Sequence, residues 1–135
     1  MGQIEDDLRR ELTDAVEAAT HPQPVPVNVY ETDEALVVVA PLPGVMGSDV
    51  EVTIEPGPPP RLTISAVMRT AAPKNYLVHE WHYGPYRRQV DLPAGFGASP
   101  VASFGNGQLA VRLGRGEPAT SVVVRPGRGE ETQSQ

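Results

Sequence analysis

The sequence predicts an all-β fold, an immunoglobulin-like antiparallel β-sandwich of about seven or eight short strands. Three observations carry that expectation. Apolar and polar residues alternate with period two, as in Val50-Glu-Val-Thr-Ile-Glu55, the pattern of a half-buried strand. The 15 prolines and 13 glycines among 135 residues lie between Val- and Ile-rich runs, where turns belong. Those runs recur about every 8–12 residues, the rhythm of a sandwich. A short N-terminal helix and a flexible C-terminal tail complete the expected architecture.

The helix is read over residues 3–19. Ile4, Leu8, Leu12, Ala15, Val16 and Ala19 recur at spacings of three and four and form one narrow apolar stripe. A helix of about 17 residues is marginal alone in water, so the stripe needs a surface to pack on. His21-Pro-Gln-Pro-Val-Pro26 ends it as a stiff extended linker. The expected organisation is an N-terminal arm over 1–24, the sandwich over 25–114 and a C-terminal extension over 115–135.

Val27 and Val29 open the first strand, and Glu31-Thr-Asp-Glu34 turns it. Leu36 to Ala40 reads as a run buried on both faces, ended by Pro41-Leu-Pro-Gly-Val45. Val50, Val52 and Ile54 form a half-buried strand. Pro56-Gly-Pro-Pro-Pro60 then reverses the chain into Leu62, Ile64 and Ala66, so these two strands pair antiparallel. After a longer connection, Met68 to Gly84, come strands at Arg87–Leu92, Val101–Phe104 and Leu109–Leu113. Asn106-Gly107 is the dipeptide that most readily takes φ > 0 at both centres of a tight hairpin. Gly114 to Ser121 reads as a flexible spacer into Val122-Val-Val-Arg-Pro126, and Gly127–Gln135 as a polar, disordered tail.

Charge and composition narrow the functions. Seventeen acidic against 11 basic residues give a net charge of −6, which argues against nucleic acid as the partner, because phosphate binding needs a concentrated basic surface. No cysteine is present, which excludes thiol chemistry and disulfides. The N-terminus shows no basic-then-apolar leader and the longest apolar run is too short for a bilayer, so the expectation is a soluble cytoplasmic protein without a membrane partner. His79 and His82 stand three apart, which in a strand points them to opposite faces, so no metal site is expected. The glycine-rich turns Gly95-Phe-Gly97 and Gly105-Asn-Gly107 lack the lysine and helix of a phosphate loop. No serine sits in a Gly-x-Ser-x-Gly context. The expectation is a protein with no cofactor and no catalytic residues.

Tyr86-Arg-Arg-Gln-Val-Asp-Leu-Pro93 followed by Ala102-Ser-Phe-Gly-Asn-Gly-Gln-Leu109 resembles the late core of the small heat-shock protein (alpha-crystallin) family, in its bacterial form. That core reads aromatic-x-Arg-x-x-x-Leu-Pro, then Ala-x-x-x-(Asn/Asp)-Gly-x-Leu. Val27-Asn-Val-Tyr-Glu-Thr32, Leu42-Pro-Gly-Val45 and Leu62-Thr-Ile-Ser65 extend the resemblance over residues 25–126. It implies an alpha-crystallin domain that acts as an ATP-independent holdase chaperone in stress responses, forming a homodimer or higher homo-oligomer and binding partly unfolded clients. The alternative is an interaction or assembly module of the same fold with little holdase activity.

By the same resemblance, Arg88 lies at a dimer interface paired with a carboxylate, together with Tyr76, Val78 and Trp81 from a strand exchanged between subunits. Ile4, Leu8, Leu12 and Val16 form the client or assembly stripe. Val122 and Val124 form the oligomerisation tail, received by a neighbour's groove with walls Val50, Val52 and Ile54 on one side and Val101 and Phe104 on the other. The residues themselves leave another possibility open, that Val122–Val124 is the last strand of its own sandwich. The chain departs from the family in a short arm without phenylalanine, in Pro41 where an acidic residue is common, and in a short 68–84 connection.

Overall fold

In the computed structural model of the chain, which describes residues 9, 23–67, 74–80 and 85–128, two sheets face each other. Their strands are β1 (Asn28–Glu31), β2 (Ala35–Pro41), β3 (Val50–Glu55), β4 (Arg61–Ala66), β5 (Tyr86–Asp91), β6 (Phe96–Gly105), β7 (Gln108–Arg115), β8 (Val122–Val124) and β9 (Gly127–Arg128), with a 3-10 turn at Gly47–Asp49. One sheet has the order β1-β2-β7-β6-β9 and the other β5-β4-β3-β8. Pairing is antiparallel throughout except for β6 with β9, which is parallel. This is the expected all-β sandwich. Apart from Arg9, the helix read over 3–19, with its Ile4, Leu8, Leu12 and Val16 stripe, falls outside the described residues, as does Trp81.

Local chemistry explains the turns. Thr32 Oγ1 accepts from the Ala35 N–H at 3.0 Å and donates to the Ala35 carbonyl, closing the β1–β2 hairpin. Asn106 and Gly107 both have positive φ, 52° and 71°, the backbone a tight β6–β7 hairpin demands. Glu55 faces Arg61 across the proline-rich reversal, so β3 and β4 pair in register along their whole length. The inward residues Leu42, Ile54, Leu62, Ile64, Leu109 and Leu113 are fully buried, and no polar or charged residue is buried among the described ones. A core of aliphatic groups with the rings of Tyr86 and Phe96 brings few polar atoms that need buried partners.

Two sequence expectations change. Leu36 to Ala40 is not buried on both faces: Leu36, Val38 and Ala40 point inward, while Val37 and Val39 are only half-buried on the outer face, because nothing among the described residues covers that side. Strand β6 begins at Phe96, not Val101, and absorbs two register shifts, between Phe96 and Ala98 and between Ala98 and Val101. Bulges let the strand carry Pro100 and Ser99, whose φ is +48°, without breaking the sheet.

Candidate functional site

The tail and its groove are built on strand β3. Its inward residues Val50, Val52 and Ile54 are completely buried. Strand β8 pairs antiparallel with it, Val52 opposite Val124, Thr53 opposite Val123 and Ile54 opposite Val122. Directly opposed residues share a face, so Val122 and Val124 point into the sandwich and Val123 points out, 57% exposed. The receiving strand belongs to the same chain, the possibility left open by the sequence. Val122 and Val124 are half-buried, which is worth about 1 kcal/mol each.

Phe104, expected as part of the second wall, lies on β6. It packs partly buried against the core, and its ring rests on Gly47, where an added Cβ would meet Phe104 Cδ2 at 3.5 Å. Val101 is not a wall. It stands opposite Arg112 and is 43% exposed, because residues three apart on a strand point to opposite faces. The inward neighbour on that side is Ala102, opposite the buried Val111. Past Pro126 the chain crosses to the other sheet, Gly127 pairing with Ser103 and Arg128 with Phe104. Within seven residues, 122–128, the tail straps one sheet to the other. Arg125 Nη2 reaches Glu51 Oε2 at 2.8 Å on the outer face.

The segment before the strap is fastened, contrary to the expected loose spacer. Arg115 donates from Nε to the Asp33 carbonyl at 3.2 Å, pairs with Glu31 at 3.2 Å and lies over the Phe96 ring. Gly116 N–H donates to the Gly95 carbonyl at 2.7 Å, and Glu117 Oε2 accepts from the Gly95 N–H at 2.6 Å. Pro118 is buried against Gly97, where a Cβ would lie 2.6 Å from Pro118 Cδ and φ is +131°. Only glycine serves there on both counts. Ala119, Thr120 and Ser121 alone remain exposed between this clasp and β8.

Arg88 lies at the opposite edge. On β5, Tyr86, Arg88 and Val90 stand opposite Ala66, Ile64 and Leu62, so Arg88 shares the inner face. Its Nη1 donates to the Val25 carbonyl at 2.9 Å and its Nε to the Gln89 carbonyl at 3.2 Å. Its hydrogen bonds within the chain go to backbone oxygens. Gln23 pairs with the same edge, accepting from Arg87 N–H at 3.0 Å and donating to the Pro85 carbonyl at 2.9 Å. Val25 is buried beside it. In the 74–80 segment, Tyr76 stacks on His79 at 4.2 Å, and Leu77 and Val78 are 99% and 71% exposed.

The family model of the Hsp20/alpha crystallin family matches residues 28–125. The chain belongs to that family. Similar solved structures include a small heat-shock protein from Xylella fastidiosa with a distinct high order structure, 26% identical with a TM-score of 0.58 over 71% of this chain and 89% of that one. The hspA protein of Xanthomonas axonopodis is 26% identical, TM-score 0.59, over 68% and 93% of the two chains. Heat shock protein 16.0 from Schizosaccharomyces pombe shares the fold at 24% identity, TM-score 0.61, over 80% and 83%. Comparison with curated protein sequences finds no match. The matched alpha-crystallin region runs from β1 to just past β8, so it includes the Val-x-Val strand. Sequence reasoning missed Val25, Gly97, Glu117 and Pro118. Only Pro118 carried a signal, a proline within a supposedly flexible spacer.

Proposed function

We propose that this small heat-shock protein is an ATP-independent holdase, binding partly unfolded proteins and keeping them from aggregating. The observation that carries the reading is a fully apolar groove floor, Val50, Val52 and Ile54, covered by a strand whose own two inward valines are only half-buried. A cover so weakly held can be exchanged for another extended apolar segment, with backbone pairing and alternate side-chain pockets giving affinity without sequence demands. Unfolded chains expose such segments and native proteins hide them. The action is binding, not chemistry, and takes place in the cytoplasm.

Self-association belongs to the same proposal, as a homodimer or higher homo-oligomer. The exposed Leu77 and Val78, with Tyr76 and Trp81, supply apolar contact area between subunits, and Arg88 on β5 joins the same interface. Ile4, Leu8, Leu12 and Val16 supply the arm's contact stripe. The test is light scattering of an aggregating client heated with increasing amounts of this protein and no nucleotide. Suppression near one subunit per client supports the holdase. Absence of suppression by folded protein moves the reading to an interaction module, which the phenylalanine-free arm favours, since both phenylalanines, Phe96 and Phe104, lie in β6.

A further inference from the structure

We infer that Asn106-Gly107 is a self-modification site, at which the folded chain converts a side-chain amide into a carboxylate with no reactant but water. The inference stands apart from the holdase reading and concerns a hairpin that reading does not use.

The sequence singles out the position. Of the chain's three asparagines, Asn28 precedes Val29, Asn75 precedes Tyr76 and Asn106 precedes Gly107. An asparagine loses its amide when the next backbone nitrogen attacks Cγ. A side chain on that next residue crowds the attack, and glycine has none. A Cβ built on Gly107 meets nothing within 4 Å, so the attacking nitrogen has open space beside it, and Asn106 is exposed to water.

The chemistry balances. Gly107 N bonds to Asn106 Cγ, the Cγ–Nδ2 bond breaks, and the Gly107 amide proton leaves with Nδ2 as ammonia. Water then opens the cyclic imide at either carbonyl. One opening gives aspartate with a normal backbone. The other gives isoaspartate, whose backbone runs through Cβ and is one atom longer.

The hairpin supplies half of the ring geometry. The imide ring holds Asn106 Cα, Cβ, Cγ and C together with Gly107 N, so Cβ and that nitrogen eclipse about the Cα–C bond. Around a tetrahedral Cα of L hand this sets ψ at about −120°, which with positive φ is the first central position of a type II′ turn. Asn106 already has a φ of 52°, close to the value of about +60° that types I′ and II′ share there. Passing between the two flips only the 106–107 peptide plane, and both turns suit the twist of a hairpin. Gly107 swings from a φ of 71° to about −80°, a change open to glycine. Nothing anchors that plane. The Gly107 N–H donates to no group among the described residues, whereas the Gly107 carbonyl, outside the plane, accepts from Leu42 N–H at 2.7 Å.

The two products differ in consequence. Asp-Gly is itself a preferred type I′ pair, so aspartate leaves the turn intact. Isoaspartate adds a backbone atom between the paired Gly105 and Gln108 and displaces the carbonyl that holds the fully buried Leu42.

The test incubates the full chain in neutral buffer at a temperature where circular dichroism shows it folded, and reads digested aliquots by mass spectrometry. The expected result is conversion at Asn106 while Asn28 and Asn75 stay amides. The folded rate should lie within about tenfold of the rate in urea, because a hairpin that had to open first would slow it by the whole opening equilibrium, roughly a hundredfold or more. Asn106→Asp is expected to keep the urea midpoint and to gain no further carboxylate. Of the converted protein, the isoaspartate fraction should unfold at lower urea than the aspartate fraction. Conversion at Asn28 or Asn75 ahead of Asn106 overturns the inference. So does a folded chain slower than the urea sample by that larger factor, since the hairpin would then be a shield.

Discussion

Two short segments cross from one sheet of this sandwich to the other, and the two are built differently. At one edge, residues 23–27 run from β5 toward β1. Gln23 pairs with Tyr86, Val25 is 2% exposed, and Arg88 donates to the Val25 carbonyl from the inner face. At the other, residues 122–128 run from β3 to β6, with two half-buried valines and an ion pair on the outer surface, Arg125–Glu51. Sheet edges must be covered because unpaired N–H and C=O groups invite association. One cover is part of the core. The other rests on it, and it is this second edge that the proposed function takes as exchangeable.

The comparison can be broken at the first edge. Val25→Ala removes two methyl groups from a filled site and is expected to cost about 2–3 kcal/mol, read as a lower urea midpoint with an unchanged slope. Arg88→Ala should cost about 2 kcal/mol, because the Val25 carbonyl loses its donor at a partly buried position. Arg88→Lys should recover only part of this, since an ammonium lacks the guanidinium fork that reaches two carbonyls.

The second edge should respond less. Val124→Ala is expected to lower stability by about 1 kcal/mol, given half-burial over Val52, and Val123→Ala by less than about 0.5 kcal/mol, since Val123 faces out. Arg125→Ala should also change the midpoint little, about 0.2–1 kcal/mol and less in high salt, because its ion pair with Glu51 is 59% and 41% exposed. A tail variant as costly as Val25→Ala would erase the distinction between the two edges. Hydrogen exchange sharpens it independently: the β8 amides should exchange well before those of β3 and β4.

The legible part of the site followed from alternation. Val50, Val52 and Ile54 were readable as one face because the period of a strand is two, and Val122 with Val124 for the same reason. Val101 misled, although the same rule applied to it: paired with Phe104 it lies three positions away and so on the other face. Pro118 misled differently. In Gly114-Arg-Gly-Glu-Pro-Ala-Thr-Ser121 its one signal is a proline inside an apparent spacer, and the approach of Gly97 from a different strand turns it into an anchor. Arg88 was legible as a special residue, but within the chain it bonds to a backbone carbonyl, and a backbone atom leaves no mark in a sequence.

What the sequence determined by itself was local. It set the all-β class, the antiparallel β3–β4 pair and the Asn106-Gly107 turn, because side-chain alternation and φ preference are properties of neighbouring residues. Family membership was also written there, in the two late-core motifs. The tertiary structure alone decided that β2 lies beside β7, that β6 begins at Phe96, and that the tail covers its own chain's β3. Those outcomes depend on contacts between segments far apart in sequence, where packing space and tether length, rather than any residue's preference, choose the partner.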